Sequence, residues 1–122
     1  MGNRAVIVSY GTNKSNASEK LGIYVHWHGS ESTIREMLDE CKRRGVRPVD
    51  YDSQYSWARI CQCMADMISD EYGDSADKYS TGIGIDIVSR LDCANGDNGV
   101  YYIDGNWNIV KHTDGYEFEQ RG

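Results

Sequence analysis

Proline and phenylalanine are nearly missing from this chain of 122 residues, which has one of each. With Pro48 alone, and no Pro-, Gly- or Ser-rich stretch or internal repeat, no linker divides the sequence. The length suits one domain, so residues 1–122 read as a single unit with 113–122 expected to fray as an acidic tail. A chain of this size buries roughly two-thirds of its unfolded surface, so it needs neither a metal nor a disulfide to fold. No apolar run approaches the ~20 residues that span a bilayer, which excludes a membrane helix. The run Ala5-Val6-Ile7-Val8 is too short for a signal-peptide core, so a cytoplasmic location is expected. Four cysteines are present, but none sit at C-x-x-C spacing, which excludes a zinc ribbon or a dithiol redox motif. Cys61 and Cys63, two apart on a helix, would point about 200° apart around its axis and share no ligand. Reduced thiols, no metal and no cofactor are the expectation. G-x-S-x-G, P-loop and H-E-x-x-H patterns are all missing, so no catalytic motif argues for an enzyme.

What is present in excess is tyrosine and tryptophan: nine and three, against the single phenylalanine. These rings serve where one edge must stay wet or hydrogen-bonded, so the bias favours a binding surface. The formal net charge of −6 is uneven. Residues 1–59 hold nine Lys/Arg against seven Asp/Glu, whereas 60–122 hold four against twelve. The acidic half lacks the clustered cations that track a phosphate backbone, so no direct DNA binding is expected. An acidic face meets solvent or a basic partner.

Periodicity gives the order ββααβββ. The β-branched run Ala5–Tyr10 reads as a strand, and Gly11–Lys20 as a polar loop. From 21 to 27 the residues alternate: Leu21, Ile23, Val25 and Trp27 take one face, and Tyr24, His26 and His28 the other. Ser30 can cap the next helix, whose apolar stripe is Ile34, Met37, Leu38 and Cys41. Lys42, Arg43 and Arg44 suit its C-terminal dipole, and Gly45 suits the position after its cap. A second helix starts near Asp52 or Ser53, with the stripe Trp57, Ile60, Cys61, Met64 and Ile68, and stops before Gly73. Gly73–Ser80 reads as a polar connection and Thr81–Val88 as a strand with Ile83, Ile85 and Ile87 on one face. Asp92–Gly99 is a dense turn that fails the EF-hand pattern at Ala94 and Gly96. Val100–Ile103 and Trp107–His112 form a hairpin through Asp104-Gly105-Asn106. The expected fold is an α+β two-layer sandwich of about five mainly antiparallel strands with two helices on one face.

Tyr24, His26 and His28 then sit on the face away from the helices, with Gly82, Gly84 and Asp86 beside them. Glycines in a strand let a ligand or another backbone approach closely, so these six residues form one candidate binding surface. His26 and His28 offer two nitrogens to a metal, but zinc takes three or four ligands, so His112 and Asp86 would complete a site only if the strands bring them close; no metal is expected. Arg59 lies off its helix's apolar stripe and is free to meet a ligand or an acid. The basic cluster Lys42, Arg43, Arg44 and Arg47 suits a helix end or a phosphate.

The segments LGIYVHWHGS, YSWARICQCMADMI and LDCANGDNGVYYI resemble a group of small proteins of Gram-positive bacteria and their phages and prophages. The likeness runs from about Leu21 to Val110. It implies a phage-type accessory protein in the host cytoplasm that inhibits a defence process by binding, and it carries over no functional site. Two modes fit: an anti-CRISPR-like acidic, Tyr-rich surface on a host effector protein, which the acidic C-terminal half favours, or a pocket formed by a homo-oligomer that sequesters a nucleotide immune signal. The second needs aromatic stacking and arginine–phosphate contacts, which Arg59 or the Arg43/Arg44 cluster would supply. The alternatives are a small nucleotide-processing enzyme using His26 or His28, and an oligomeric structural module.

Overall fold

Ala5-Val6-Ile7-Val8 and Val100-Tyr101-Tyr102-Ile103 are continuous apolar runs rather than alternating ones. That is the pattern of a strand buried on both faces. In the computed structural model, which describes residues 2–10, 20–49, 53–72 and 82–115 (without the side chains of 53–54 and 69–72), both runs lie in the interior of one sheet. The strands are β1 (Ala5–Ser9), β2 (Leu21–Val25), β3 (Ile83–Ile87), β4 (Val100–Ile103) and β5 (Ile109–Thr113). Their spatial order is β3-β2-β1-β4-β5. The β1–β2, β2–β3 and β4–β5 pairs are antiparallel, and β1–β4 is parallel, with Val6 opposite Val100 and Ser9 opposite Ile103. Helices α1 (Glu31–Arg43) and α2 (Ser53–Tyr72) cover one face. The protein is an α+β two-layer sandwich.

Between helices and sheet, Ala5, Ile7, Ile23, Val25, Tyr101 and Ile103 meet Ile34, Met37, Leu38 and Cys41 of α1 and Trp57, Ile60, Met64 and Ile68 of α2. Burying each large apolar side chain contributes about 1.5–3 kcal/mol, so this layer supplies most of the driving force. The other face has its own small core. Val6, Val8, Val100 and Tyr102 are roofed by Val88, Leu91 and Cys93 from a single 3₁₀ turn (Val88–Arg90) and the loop after it. Gly22 on β2 allows that roof: a Cβ there would come within 2.9 Å of Leu91 Cδ1.

α1 ends as its sequence requires. The Gly45 N–H donates to Lys42 O (3.1 Å), the Val46 N–H donates to Cys41 O (3.0 Å), and Gly45 takes φ +74°. This paired closure needs a left-handed residue, which glycine adopts without a Cβ penalty. Ser30 occupies the cap position of α1, but its hydroxyl bonds Thr33 Oγ1 (2.8 Å) rather than a backbone N–H.

Several expectations are corrected. Trp27 and Leu21 do not join the helix-side core; they are 44% and 37% exposed. β2 ends at Val25, so alternation stops before Trp27, whose ring lies instead against Gly82 and edge-on to His26. On α2 it is Cys63, 2% exposed, that faces the core, while Cys61 is half-buried. Ile85 is 47% exposed because β3 is an edge strand. Val88 leaves the strand for the 3₁₀ turn. Thr113 is not tail but the last residue of β5, opposite Val100. β5 starts only at Ile109, and Trp107 sits in the turn at φ 65°. Asp104 Oδ1 builds that turn by accepting the N–H groups of Asn106 and Asn108, both at 2.9 Å. The expected loops over 11–19 and 73–80, and the tail from 116, lie outside the described residues.

Candidate functional site

The structure divides the residues singled out in the sequence between two sides of the sheet. On the side away from the helices, Tyr24 lies opposite Gly84 and Asp86 opposite Gly22 in the β2–β3 register. His26 donates its backbone N–H to Gly82 O at 2.9 Å. Tyr24 Oη is 2.7 Å from His26 Nδ1. A Cβ on Gly84 would meet nothing within 4 Å, so the strand is open there, whereas Gly82 is filled by Trp27. Asp86 turns inward on its own backbone, accepting the Ile87 N–H at 2.7 Å. His28 lies beyond the end of β2, where strand alternation no longer sets its direction.

A group that sequence reasoning missed adjoins this face. Arg4 donates its backbone N–H (3.0 Å) and its Nε (2.8 Å) to Asp97 Oδ2, and its guanidinium reaches Asp92 at 3.6 Å. The Arg4 hydrogen bonds hold the Asp97 carboxyl below its ordinary range. Burial pushes the Tyr24 phenol up, with Arg4 opposing, so Tyr24 stays protonated at neutral pH and is no ready nucleophile. Asn98 Nδ2 donates to Asn3 Oδ1 (2.6 Å) and Arg4 O (3.0 Å). These contacts pin the segment before β1 to the 92–99 loop. Their chemistry is that of a clasp, with Arg4 saturated by two carboxylates.

Arg59 lies with the helices, on the other side of the sheet. After the Gly45 closure of α1, Val46 and Arg47 come to lie beside Tyr55 and Arg59 of α2. There Arg44, Gly45, Val46, Arg47, Tyr55 and Arg59 line an open cleft of about 520 Å³. That lies inside the ~300–1,000 Å³ span of small-molecule sites. Tyr55 and Arg59 stand one turn apart on α2, off its apolar stripe, so they share a face. Tyr55 is 57% exposed, and the Arg47 guanidinium carbon lies 5.6 Å above its ring centroid. Arg44 donates to Glu40 (2.7 Å) and Asp66 (3.0 Å). Arg59 makes one long hydrogen bond, to Gln62 Oε1 at 3.5 Å, and no ion pair among the described residues. The sequence pointed to Arg59 and to the Arg44/Arg47 cluster. Tyr55 was missed, although an aromatic ring off the stripe and four residues before an arginine was a legible signal.

Glu40 sets the electrostatics of one wall. Hydrogen bonds from Arg43 and Arg44 pull its carboxyl down to about 2. A carboxyl held below its unfolded range (about 4.3 for Glu) stabilises the fold above that range and loses this contribution as pH falls through the folded value. Acid titration of stability from pH 5 to 2 should therefore show a falling limb. Glu40→Gln should lower stability at neutral pH and flatten that limb, as followed by circular dichroism.

Among the described residues no group of three or more His, Cys, Asp or Glu side chains is placed to hold a metal, and no helix is long and apolar enough to cross a membrane. No protein-family model matches the chain, and neither does any curated protein or solved structure.

Proposed function

We propose that this protein is a non-catalytic binding module that captures a small phosphate-bearing ligand in the Arg44–Arg47–Arg59 cleft. The observation that carries the reading is Arg59, a guanidinium lining a ligand-sized cleft with no carboxylate partner among the described residues. Arginine's planar fork matches phosphate oxygens in pairs, and charge-assisted hydrogen bonds of that kind are the strong ones. Arg47 adds a second cation, and Arg44, tied to Glu40 and Asp66, forms a fixed wall. In a chain of net charge −6, an anion site has to be built locally, and residues 42–59 hold five of the thirteen basic side chains. The resemblance to phage and prophage proteins supplies a setting. Capture without turnover would act as sequestration, and the sequestered molecule would be a host defence signal.

Titration calorimetry with inorganic pyrophosphate tests the site. Binding is expected to weaken as salt rises. Arg59→Glu should weaken it at least about tenfold, the loss of one charge-assisted hydrogen bond. Arg59 is exposed, so the variant should keep its fold by circular dichroism. No heat of binding up to millimolar pyrophosphate, or an Arg59→Glu protein that binds as tightly as the parent, overturns the proposal.

A further inference from the structure

The cleft has a second feature that phosphate recognition does not use. Resting on the anion-site reading above, we infer that the ligand is a nucleoside phosphate whose base enters between the Tyr55 ring and the Arg47 guanidinium, with its phosphates on Arg59.

The spacing of that pair carries the argument. A guanidinium in face contact with a ring lies about 3.5–4 Å from it, the optimal carbon–carbon separation. Arg47 is at 5.6 Å, within cation–π range but above contact. A flat ring sandwiched between two planes needs about 7 Å from one to the other, two contact layers of ~3.5 Å. The pair is therefore already more than half open, and a shift of Arg47 by roughly 1.5 Å would admit a base. Arg47 is exposed, so the shift takes place at the protein surface.

Tyr55 is the fixed plane. It projects from α2 two residues before Trp57, which is anchored in the core at 2% exposure. At 57% exposed the ring gains little from burial in the unliganded protein, so its apolar face is available. Arginine above and tyrosine below both stack on π-faces, a base-tolerant mode of recognition. Arg59, one helical turn beyond Tyr55, lies where the phosphate end of a stacked nucleotide would arrive. Gly45 also lines this cleft, and a Cβ there would meet nothing within 4 Å, so the wall beside it is open.

Comparing adenosine diphosphate with pyrophosphate on the full chain isolates the ring, since the two share their phosphates. The nucleotide should bind about tenfold tighter or more, within the range that base–aromatic stacking provides. Tyr55→Leu, which keeps bulk and removes the π-face, should erase that advantage and leave pyrophosphate affinity within about twofold; Tyr55→Trp should restore it. Retained pyrophosphate binding by Tyr55→Leu also shows that the cleft is still folded. Equal affinities for the two probes overturn the base slot and leave the phosphate site standing. A nucleotide advantage that survives Tyr55→Leu overturns it too, because the ring then lies elsewhere. Binding of neither probe overturns both this inference and the anion-site reading.

Discussion

Gly99→Ala should unfold or nearly unfold the protein, whereas Gly45→Ala should cost little more than its backbone conformation. Both glycines have positive φ, +66° and +74°. A left-handed backbone costs a residue with a Cβ about 1–2 kcal/mol. The surroundings differ sharply. A Cβ on Gly45 meets nothing, but one on Gly99 would stand 2.0 Å from Thr113 O and 2.9 Å from Asp114 Cα. Those are backbone atoms at the end of β5, where Thr113 faces Val100, so relief requires parting β4 from β5. Domains of this kind are stable by only about 5–15 kcal/mol. Overpacking that shifts backbone costs about 1–3 kcal/mol and occasionally more. A 2.0 Å approach to a strand's own backbone lies at the top of that range, in addition to the conformational cost. Urea titrations of both variants measure the difference. Equal midpoints for the two would contradict the steric argument.

Asn95→Ala should be the most damaging substitution of a polar side chain in the Asp92–Gly99 loop. Asn95 is only 3% exposed, and its amide makes four hydrogen bonds. Oδ1 accepts the N–H groups of Asp97 (3.0 Å) and Gly99 (3.1 Å), while Nδ2 donates to Asp92 O (3.0 Å) and Gly99 O (3.3 Å). Gly99 O also accepts the Val6 N–H, so it stays satisfied when Asn95 is truncated. The buried Gly99 N–H loses its side-chain partner, and the expected loss is about 2–3 kcal/mol. Asn95→Asp separates donors from acceptors. It keeps Oδ1 but faces a carboxylate toward two carbonyl oxygens, so its folded pKa should rise above the unfolded value. Relative to the parent, that variant is then weakest at neutral pH and recovers as acid protonates the new carboxyl. A deficit that grows with acid would show that the acceptor role alone matters.

The elements were legible where one physical signal dominated. The stripe Ile34, Met37, Leu38, Cys41 and the glycine after it fixed α1 and its end, because helical period and left-handed closure are local properties. Trp27 misled because alternation was extended past Val25, where the chain bends toward α1 and the residue beside Gly82 needs a ring to cover it. The second core also escaped, since Val88, Leu91 and Cys93 follow no period; they form a roof through tertiary contacts alone. At the clasp, Arg4 and Asp97 lie 93 residues apart, and no local pattern joins them. The cleft fell between these cases. Its arginines showed as a basic cluster and an off-stripe side chain, but the turn that turns them toward Tyr55 depends on how α1 and α2 meet.

The parallel pairing of β1 with β4 also bears on how the chain reaches its native state. β1 is the middle strand, yet one of its two neighbours is built from residues 100–103, and the clasp on its leading end spans 93 to 95 residues. Loop closure over such separations precedes any gain from the contacts, and pairings of this kind slow folding. During synthesis β1 and β2 can meet early, but Val6 and Val8 keep one apolar flank uncovered until nearly the whole sequence has emerged. The opening strand of the protein is thus the part that waits longest for shelter, and the step that closes the sheet should set the pace of folding.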